Sequence, residues 1–454
     1  MKSRIQLSDH FTYGRLIRFV LPSIFMMIFT SIYGVVDGIF IARVVGETAF
    51  AAVNLVMPLI MALGSVGFML GAGGSAIVAK TLGEGDVDKA NAYFSFFAYV
   101  TLIAGFILAV LGEVFAERII RLLGADNDKA YLIPTCLEYV RIALVGLPFF
   151  MSQNIFQTFF ATAEKPNLGF IVTVIAGVMN MILDFLFVFV FGWGVQGAAA
   201  ATLVSEVTGG SLPIIYFSRP NGTILRLGGT KFFGKALAKA CGNGLSEFAN
   251  NVSGSFVSML YNAQLLLYVG ENGVSAYGTL MYVNFIFIAI FIGYSIGTAQ
   301  IVGYNYGAQN KQELKNVFKK SLVMMFSIGV VMFALAESLA PVFATIFANG
   351  NQNLESLTKR AFLFSGFIFL LCGFNIFSSA FFTALSNGVV SLIISLLRTL
   401  AFQATAVLLL PSVFGGLGWN PTDGIWFAGV FSDIMAFIVT WSFLIANRKK
   451  YGYI

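Results

Sequence analysis

The sequence contains few charged residues, which make up 11% of its 454 positions, whereas soluble domains typically carry roughly 25%. Hydrophobic residues account for 58% of the chain, and the mean hydropathy is +0.85. This balance predicts a protein that crosses a membrane many times. The net charge of +6 comes from basic residues dispersed along the chain, so the charge pattern does not indicate a nucleic-acid partner.

Cysteine and histidine are rare. Cys136, Cys241 and Cys372 are scattered without a paired spacing, so the sequence predicts neither a disulfide framework nor a metal site. His10 is the single histidine, which argues against a zinc-dependent or histidine-dependent membrane enzyme. The sequence contains no nucleophile–base constellation and no phosphate-binding Gly-Lys-Ser/Thr loop. We therefore expect a protein that is not an enzyme, needs no cofactor and draws its energy from an ion gradient.

Twelve apolar runs follow one another along the chain, each long enough for a spanning helix of about 20 residues. A basic segment separates the sixth run from the seventh. The pattern predicts an all-α polytopic membrane protein with about twelve transmembrane helices. We assign residues 1–218 to an amino-terminal six-helix bundle, 219–242 to a cytoplasmic connector and 243–454 to a carboxy-terminal six-helix bundle.

The basic residues favour one side of the membrane. If both termini are placed in the cytoplasm and the loops alternate, the inner side receives 20 of the 27 lysines and arginines. The positive-inside rule therefore predicts that both termini are cytoplasmic. We expect a multi-pass protein of the inner (plasma) membrane. Because the loop charges give no sign of a stable protein partner, we also expect a monomer.

The two halves of the chain resemble each other. Short polar and glycine-containing motifs recur in the same order at nearly one spacing. Six spans per half is an even number, so both halves enter the membrane from the same side and form pseudo-symmetric parallel bundles around a central cavity. The clearest pairs are Val45-Gly46-Glu47 with Val269-Gly270-Glu271, Asn154-Ile155-Phe156 with Asn375-Ile376-Phe377, and Ser205-Glu206 with Ser432-Asp433.

Two acids interrupt apolar runs in the first half. Asp37 lies in the run from Phe25 to Ala42, and Asp184 lies in the run from Gly169 to Phe191, four residues after Asn180. Burying such a charge in hydrocarbon costs several kcal/mol, so intramembrane acids usually face a protein interior or a wet cavity. On a helix, positions 180 and 184 share one face. These residues predict one ion-binding site; the alternative is that each acid is a solvated helix end or a structural hydrogen-bonding group.

The acids are not repeated in the second half. Tyr261 stands 224 residues after Asp37, and the stretch that corresponds to Asp184, 405–411, contains no acid. The sequence therefore predicts that the cation-coupling site lies in the first bundle alone.

Other polar residues within spans have two interpretations each. Asn154 and Gln157 share a face of the fourth span, where they either contact substrate or hydrogen-bond between helices. Glu206 and Glu247 flank the connector, where acids either attract cationic drugs or reach water at a helix end. For Glu206 we favour the helix-end interpretation, and Asp433, its repeat partner, suggests a shared structural role.

Several stretches, taken together, resemble the multidrug and toxic compound extrusion (MATE) transporters. They are GGSAIVAKTLGEGDVDKAN, GTAQIVGYNYGAQNKQELK, EYVRIALVGLP and GVMNMILDFLFVFVFGWGVQGAAAAT. The resemblance implies a prokaryotic branch with acids in spans 1 and 5, and antiport of cationic or amphipathic organic compounds against H+ or Na+. It also implies that Asp37, Asn180, Asp184 and Thr202 line the cation site. Other branches carry coupling acids in spans 7 and 10; here span 10 has none, although Glu247 remains in span 7.

The chemistry of this site leaves the coupling ion open. Asp37 and Asp184 can share a proton as a coupled pair, because a dry site disfavours two neighbouring charges. Alternatively they can hold Na+, with Asn180 and Thr202 completing the shell; we favour H+. Either cation changes the charge and packing of the first bundle, and it drives rocking of the bundles if it binds the two states differently.

A flippase for lipid-linked oligosaccharides or polysaccharides is the alternative transporter, since that superfamily shares the two-bundle plan. Such proteins usually line the cavity with basic residues that meet phosphates. Here Arg398 is the one base well away from a loop, and we place it near a membrane edge. The acids of spans 1 and 5 therefore favour cationic substrates. A passive channel is not indicated, because no ring of charges suggests a pore.

Overall fold

The computed structural model of the chain describes residues 5–123, 127–348 and 350–454. Within these ranges the chain is helical, with no β-strand. Twelve long helical elements follow one another, and two of them are interrupted. They are α1 Tyr13–Phe40, α2 Glu47–Gly83, α3 Val87–Leu122, α4 Ile133–Thr162, α5 Pro166–Asp184, α6 Gly194–Ser218, α7 Gly234–Tyr268, α8 Glu271–Gly307, α9 Lys311–Ala348, α10a Gln352–Ser365 with α10b Ile368–Ala384, α11a Gly388–Leu396 with α11b Gln403–Gly416, and α12 Pro421–Tyr451.

These elements agree with the twelve spans that the sequence predicts. Ten of the described helices are long and apolar enough to cross a membrane, and α10a with α10b, which meet at a bend of 50°, make an eleventh. Helix α7 completes the set at 35 residues, although it is not among the helices that are apolar enough by composition alone. It begins nine residues before the expected boundary at 243, so the connector between the halves is correspondingly shorter.

Polar side chains at loop ends fix where several helices begin. The Thr12 hydroxyl accepts a hydrogen bond from the Arg15 amide at 3.4 Å, and an Asp86 carboxylate oxygen accepts one from the Lys89 amide at 3.1 Å. Asn351 caps α10a in the same way through the Leu354 amide at 3.1 Å. Such caps satisfy amide groups that a helix leaves free in its first turn.

The backbone repeats as the sequence does. Left-handed positions recur in corresponding loops of the two halves: φ is 117° at Gly46 and 84° at Gly270, 86° at Gly85 and 54° at Gln309, and 58° at Glu164 and 59° at Ser386. The members of each pair are 222 or 224 residues apart, the spacing of the repeated motifs. Because non-glycine residues rarely adopt positive φ, this match shows that both halves follow the same chain path.

Helix α1 belongs to both bundles. Its first half contributes Leu16, Phe19 and Val20 to the buried core that contains the helices of the second half. Along its length α1 packs on α8 of the second bundle and on α5 of the first. The helix that carries Asp37 is therefore also part of the interface between the bundles.

The bundles approach each other most closely at the end of the molecule where the termini lie. A Cβ atom on Gly73 of α2 would collide with the backbone of α7 at Ala240, and one on Gly83 would collide with the α8 backbone at Tyr304. The buried Gln300 of α8 joins the bundles as well, since it accepts a hydrogen bond from the Thr162 hydroxyl at 2.8 Å. Gly73 and Gly83 allow the helix backbones to come this close, and small residues are common at helix contacts in membrane proteins.

An amino-terminal arm, residues 5–12, crosses this closed end. The Leu7 amide donates to a carboxylate oxygen of Glu164, in the α4–α5 turn, at 2.9 Å. The Phe11 amide donates to Glu313, in the first turn of α9, at 2.9 Å. The Nδ1 atom of His10 lies 2.7 Å from the other Glu313 oxygen. The arm is thereby attached to both bundles, with the buried Glu313 carboxylate as its main anchor.

We expect that Glu313→Ala releases the arm from α9. The variant removes the acceptor of the Phe11 amide, and a hydrogen bond to a charged group contributes about 1.5–3 kcal/mol. Amide hydrogen exchange within residues 5–12 should therefore accelerate by roughly 10- to 100-fold. Glu355→Ala serves as the control, because Glu355 pairs with the surface residue Lys359 instead. Unchanged exchange at Phe11 in the Glu313 variant would show that the carboxylate does not anchor the arm.

Candidate functional site

The two acids that the sequence singled out lie side by side in the first bundle. Asp37, near the end of α1, is 8% exposed, and Asp184, the last residue of α5, is fully buried. Their carboxyl groups are close enough to interact directly. The structure therefore brings together acids that are separated by 147 positions, and both face protein rather than lipid.

Asn180 and Thr202 supply further oxygens to this part of the first bundle. Asn180 lies one turn before Asp184 on α5 and is 2% exposed; Thr202 is on α6 and faces Tyr139. Five buried oxygen atoms of these residues lack a hydrogen-bond donor: Asp37 Oδ1, Asn180 Oδ1, Asp184 Oδ1, Asp184 Oδ2 and Thr202 Oγ1. Buried acceptors are normally satisfied, so this concentration of unpaired oxygens fits a site for a cation.

The helices beside the acids depart from regular α geometry. A π-helical segment, Phe185–Val190, starts directly after Asp184, and another, Ile41–Val45, ends the first span after Asp37. The Phe191 amide bonds to the Leu186 carbonyl, five residues back, at 2.8 Å. Widened turns of this kind are rare and occur often at functional sites.

A third acid, Glu206, joins the cluster. Glu206 lies in the middle of α6, and its carboxylate is close to Asp37. It packs on the α4 backbone, where a Cβ atom on Gly146 would collide with Glu206 Oε2. The helix-end interpretation of Glu206 was therefore wrong, because residues 207–218 continue the helix beyond it. The sequence did contain a signal of this position, because Glu206 lies twelve residues before the end of its helix, too far for a helix-end residue.

Two tyrosines line the same cluster, and no pattern in the sequence indicated them. Tyr139 of α4 is 1% exposed and lies near all three acids. Tyr33 of α1 lies near Asp37 and Glu206 and faces the amide of Gln153. Neutral tyrosines in an apolar run look like packing residues, and only the fold shows that they surround carboxylates.

The second bundle neutralises its own buried acid. Asp433 of α12 is 2% exposed, and its Oδ1 atom lies 2.9 Å from Arg398 Nε. The Asn375 amide donates to the same Asp433 oxygen at 2.9 Å. Arg398 lies in the π-helical segment Leu397–Phe402 between α11a and α11b, and its side chain is 15% exposed. Our placement of Arg398 near a membrane edge was therefore wrong.

The surroundings of Asp433 and of Glu206 correspond to each other in the repeat. Asn375 and Asp433 are the repeat partners of Asn154 and Glu206. In the second bundle the asparagine amide donates to the acid, whereas Asn154 Nδ2 is buried without an acceptor. Among the described side chains, no lysine, arginine or histidine pairs with Asp37, Asp184 or Glu206. The acid cluster of the first bundle thus has no paired base among the described side chains, whereas the buried acid of the second bundle belongs to a closed ion pair.

The residues suggested for substrate contact lie on one helix of each bundle. Asn154 and Gln157 are on α4, where they are 5% and 7% exposed. Glu247 is on α7 of the second bundle, close enough to Arg398 to interact with it electrostatically. Its carbonyl accepts a hydrogen bond from the Asn251 amide at 2.8 Å.

The Arg398–Asp433 pair yields a stability prediction. Arg398→Met should destabilise the protein by about 3–5 kcal/mol, because it leaves Asp433 charged, buried and unpaired. The double variant Arg398→Met with Asp433→Asn should recover most of that loss. The measurement is the apparent Tm of detergent-purified protein. If the double variant melts as low as Arg398→Met alone, the loss does not come from an uncompensated Asp433 charge.

Comparison with known proteins gives consistent matches along the chain. The profile of the MatE family matches residues 22–186 and 247–406. A relative named "Multidrug export protein MepA" from Staphylococcus haemolyticus (strain JCSC1435) is 26% identical over 338 residues, 73% of each chain. The protein of the same name from Staphylococcus aureus (strain NCTC 8325 / PS 47) is 24% identical over 365 residues, 79% of this chain and 80% of the relative.

Solved structures match over nearly the whole length. A crystal structure of MATE in complex with MaL6 has a TM-score of 0.91 at 22% identity and covers 100% of both chains. An outward-facing conformation of a multidrug resistance MATE family transporter of the MOP superfamily has a TM-score of 0.90 at 22% identity, covering 100% of this chain and 99% of the other. At this identity the likeness establishes the fold, and it confirms the two-bundle arrangement of twelve helices.

Proposed function

Because the chain belongs to the MATE family of multi-pass membrane transporters, we propose that it is a secondary antiporter for multidrug efflux. It exports cationic or amphipathic organic compounds while H+ or Na+ enters. The names of the Staphylococcus relatives, which are multidrug export proteins, support efflux as the activity and organic small molecules as the cargo. The chain is a transporter and not an enzyme.

The observation that carries this proposal is the group of partnerless oxygens around Asp37 and Asp184. Two carboxylates that share a desolvated site repel each other, so at least one gains stability from a bound cation. A proton neutralises one carboxylate directly. Na+ instead requires several oxygens, and Asn180 and Thr202 offer them beside the acids. Both ions therefore fit the donor set, and H+ is our first choice because it requires no complete coordination shell.

Helix α1 offers a physical route from this site to the interface between bundles. Asp37 lies near one end of α1, next to α5, while the other half of α1 is packed into the core of the second bundle. A cation that draws Asp37 and Asp184 together changes how α1 packs on α5. Any resulting tilt of α1 acts on α8, its neighbour in the second bundle.

Alternating access follows if the cation prefers one arrangement of the bundles. A ligand shifts such an equilibrium only by its difference in affinity for the two states. The contacts at Gly73 and Gly83 close the end where the termini lie, so we propose that in this arrangement a cation reaches the buried acids from the opposite side. In our proposal the coupling cation enters from that side, and its arrival favours the return to the other arrangement.

Substrate contacts are assigned to residues outside the acid cluster. Glu247 attracts the positive charge of the substrate, because Arg398 is already committed to Asp433 and compensates Glu247 only in part. Asn154 and Gln157 offer amide groups for hydrogen bonds on the first-bundle side. In this proposal the coupling ion and the substrate are bound by different residues.

The cellular placement follows from the charge pattern. We propose a monomer in the plasma membrane with both termini cytoplasmic, since that orientation puts most basic residues inside. Residues 1–218 and 243–454 then form the two moving bundles, joined by the connector. The arm at 5–12, which touches both bundles, lies on the cytoplasmic side in this orientation.

Phosphate-bearing lipid-linked sugars fit this site less well. A flippase needs free basic groups that meet phosphates, and the base that the sequence offered for that role, Arg398, is held by Asp433 at 2.9 Å. The acids of the first bundle would repel a phosphate. A cationic substrate is therefore the better match to the charges of the described side chains.

We expect that Asp37→Asn and Asp184→Asn each abolish gradient-driven transport while the protein still folds. Each variant removes a charge that the coupling cation neutralises, yet it keeps the size of the side chain. The measurement is efflux of a cationic dye from proteoliposomes under an imposed pH gradient or an imposed Na+ gradient. Comparing the two gradients with wild-type protein also identifies the coupling ion.

The matched control is Glu113→Gln, which alters an acid of the same bundle that pairs with Arg141 at its surface. It should transport as the wild type does. Full transport by either aspartate variant, at equal amounts of folded protein, would contradict the proposed role of this pair.

A further inference from the structure

The second bundle contains a small cavity at the place where the first bundle holds its acids. The cavity has a volume of about 70 Å³, and helices α7, α8, α10, α11 and α12 line it. Tyr261 and Gly429 are among its lining residues. They stand 224 residues after Asp37 and 227 residues after Thr202, the spacings of the repeat. The cavity is thus the repeat counterpart of the cation site.

The lining of this cavity carries no charge. Tyr261 and Tyr277 stack in parallel, with ring centroids 4.8 Å apart and planes 10° apart. The side chains of Asn284 and Gln403 add amide groups, and the Gln403 amide donates to the Tyr261 hydroxyl at 3.4 Å. Without an acid the cavity lacks the charge that would hold a coupling cation, so we expect its function to differ from that of its counterpart.

One hydrogen-bond donor in the lining lacks an acceptor. Trp426 is 1% exposed, and its indole Nε1 atom has no hydrogen-bond partner. Buried indole N–H groups usually find a partner, and leaving one unsatisfied costs about 1–3 kcal/mol. A ligand group that accepts a hydrogen bond would remove this cost. The volume exceeds the roughly 10–15 Å³ that a cavity needs in order to hold one water molecule, so there is space for a group larger than one water.

We propose that this cavity binds an uncharged, acceptor-bearing group of the substrate, such as an ester or ketone carbonyl at one end of an amphipathic cation. The carbonyl oxygen accepts the hydrogen bond of Trp426, and the attached apolar atoms lie against the tyrosine pair. This inference rests on the proposed efflux of amphipathic cations. A hydrogen bond in this cavity would distinguish cations that carry an acceptor from cations that do not. The charge of the acids alone cannot make that distinction.

The test compares two lipophilic monocations in proteoliposomes. Rhodamine 6G carries an ester carbonyl, whereas tetraphenylphosphonium carries phenyl rings and no hydrogen-bond acceptor. Trp426→Phe keeps an aromatic ring and removes the N–H donor. The variant should raise the KM for rhodamine 6G by roughly 2- to 12-fold, the equivalent of one neutral hydrogen bond. Its KM for tetraphenylphosphonium should equal that of the wild type.

A second variant, Gly429→Ala, changes the cavity lining at a different residue of α12. A Cβ atom at Gly429 would lie 3.3 Å from Ile368 Cδ1, 3.6 Å from the Tyr261 hydroxyl and 3.8 Å from Gln403 Nε2. Gly429→Ala therefore adds a methyl group within the lining, and the flexible end of the Ile368 side chain must move slightly. It should raise the KM for rhodamine 6G and spare tetraphenylphosphonium. Trp441→Phe is the control, because Trp441 lies on the same helix but is 41% exposed; it should change neither KM.

The outcomes separate this proposal from the one on which it rests. If wild-type protein moves neither cation under either gradient, the efflux function fails and the cavity proposal fails with it. If wild-type protein moves both but Trp426→Phe changes neither KM, water alone satisfies the indole and only the cavity proposal is overturned. An equal loss of both substrates would likewise overturn it, because it would show a purely structural role for Trp426.

Discussion

A carboxylate inside a membrane protein needs a neighbouring group that stabilises its charge, because no bulk water reaches it. The two bundles meet this requirement differently at repeated positions. In the second, Asp433 is held by Arg398 and Asn375. In the first, the acids around Asp37 have tyrosine and amide neighbours and no paired base among the described side chains. We propose that this difference allows the first bundle to gain or lose a cation, while the second stays neutral at its Arg398–Asp433 ion pair.

The position of α1 gives this asymmetry a mechanical consequence. One half of the helix packs with the core of the second bundle, and the other carries Asp37 against α5 of the first. Close backbone contacts at Gly73 and Gly83 hold the bundles together at one end. A change in charge at Asp37 therefore acts on an element that both bundles share, and a local binding event can bias their relative orientation.

Much of this arrangement could be predicted from the sequence. Apolar runs and charge give twelve spans, and repeated motifs give two parallel bundles. The cost of burying an acid identifies Asp37 and Asp184, which the fold brings together. Other features depend on tertiary contacts that no local pattern encodes. Glu206 was placed near a helix end although it lies in the middle of its helix. Arg398 was placed near a membrane edge because no local pattern reveals its buried partner, Asp433, 35 positions later.

The central claim is that cation binding occurs in the first bundle and not at Asp433. Infrared difference spectroscopy on lipid-reconstituted protein measures it directly, since protonated carboxyl groups have a distinct C=O band and Na+ shifts the carboxylate bands. On acidification or addition of Na+, wild-type protein and Asp433→Asn should show the same carboxyl change. The double variant of Asp37→Asn and Asp184→Asn should lose it. A change that persists in the double variant and disappears in Asp433→Asn would contradict the account.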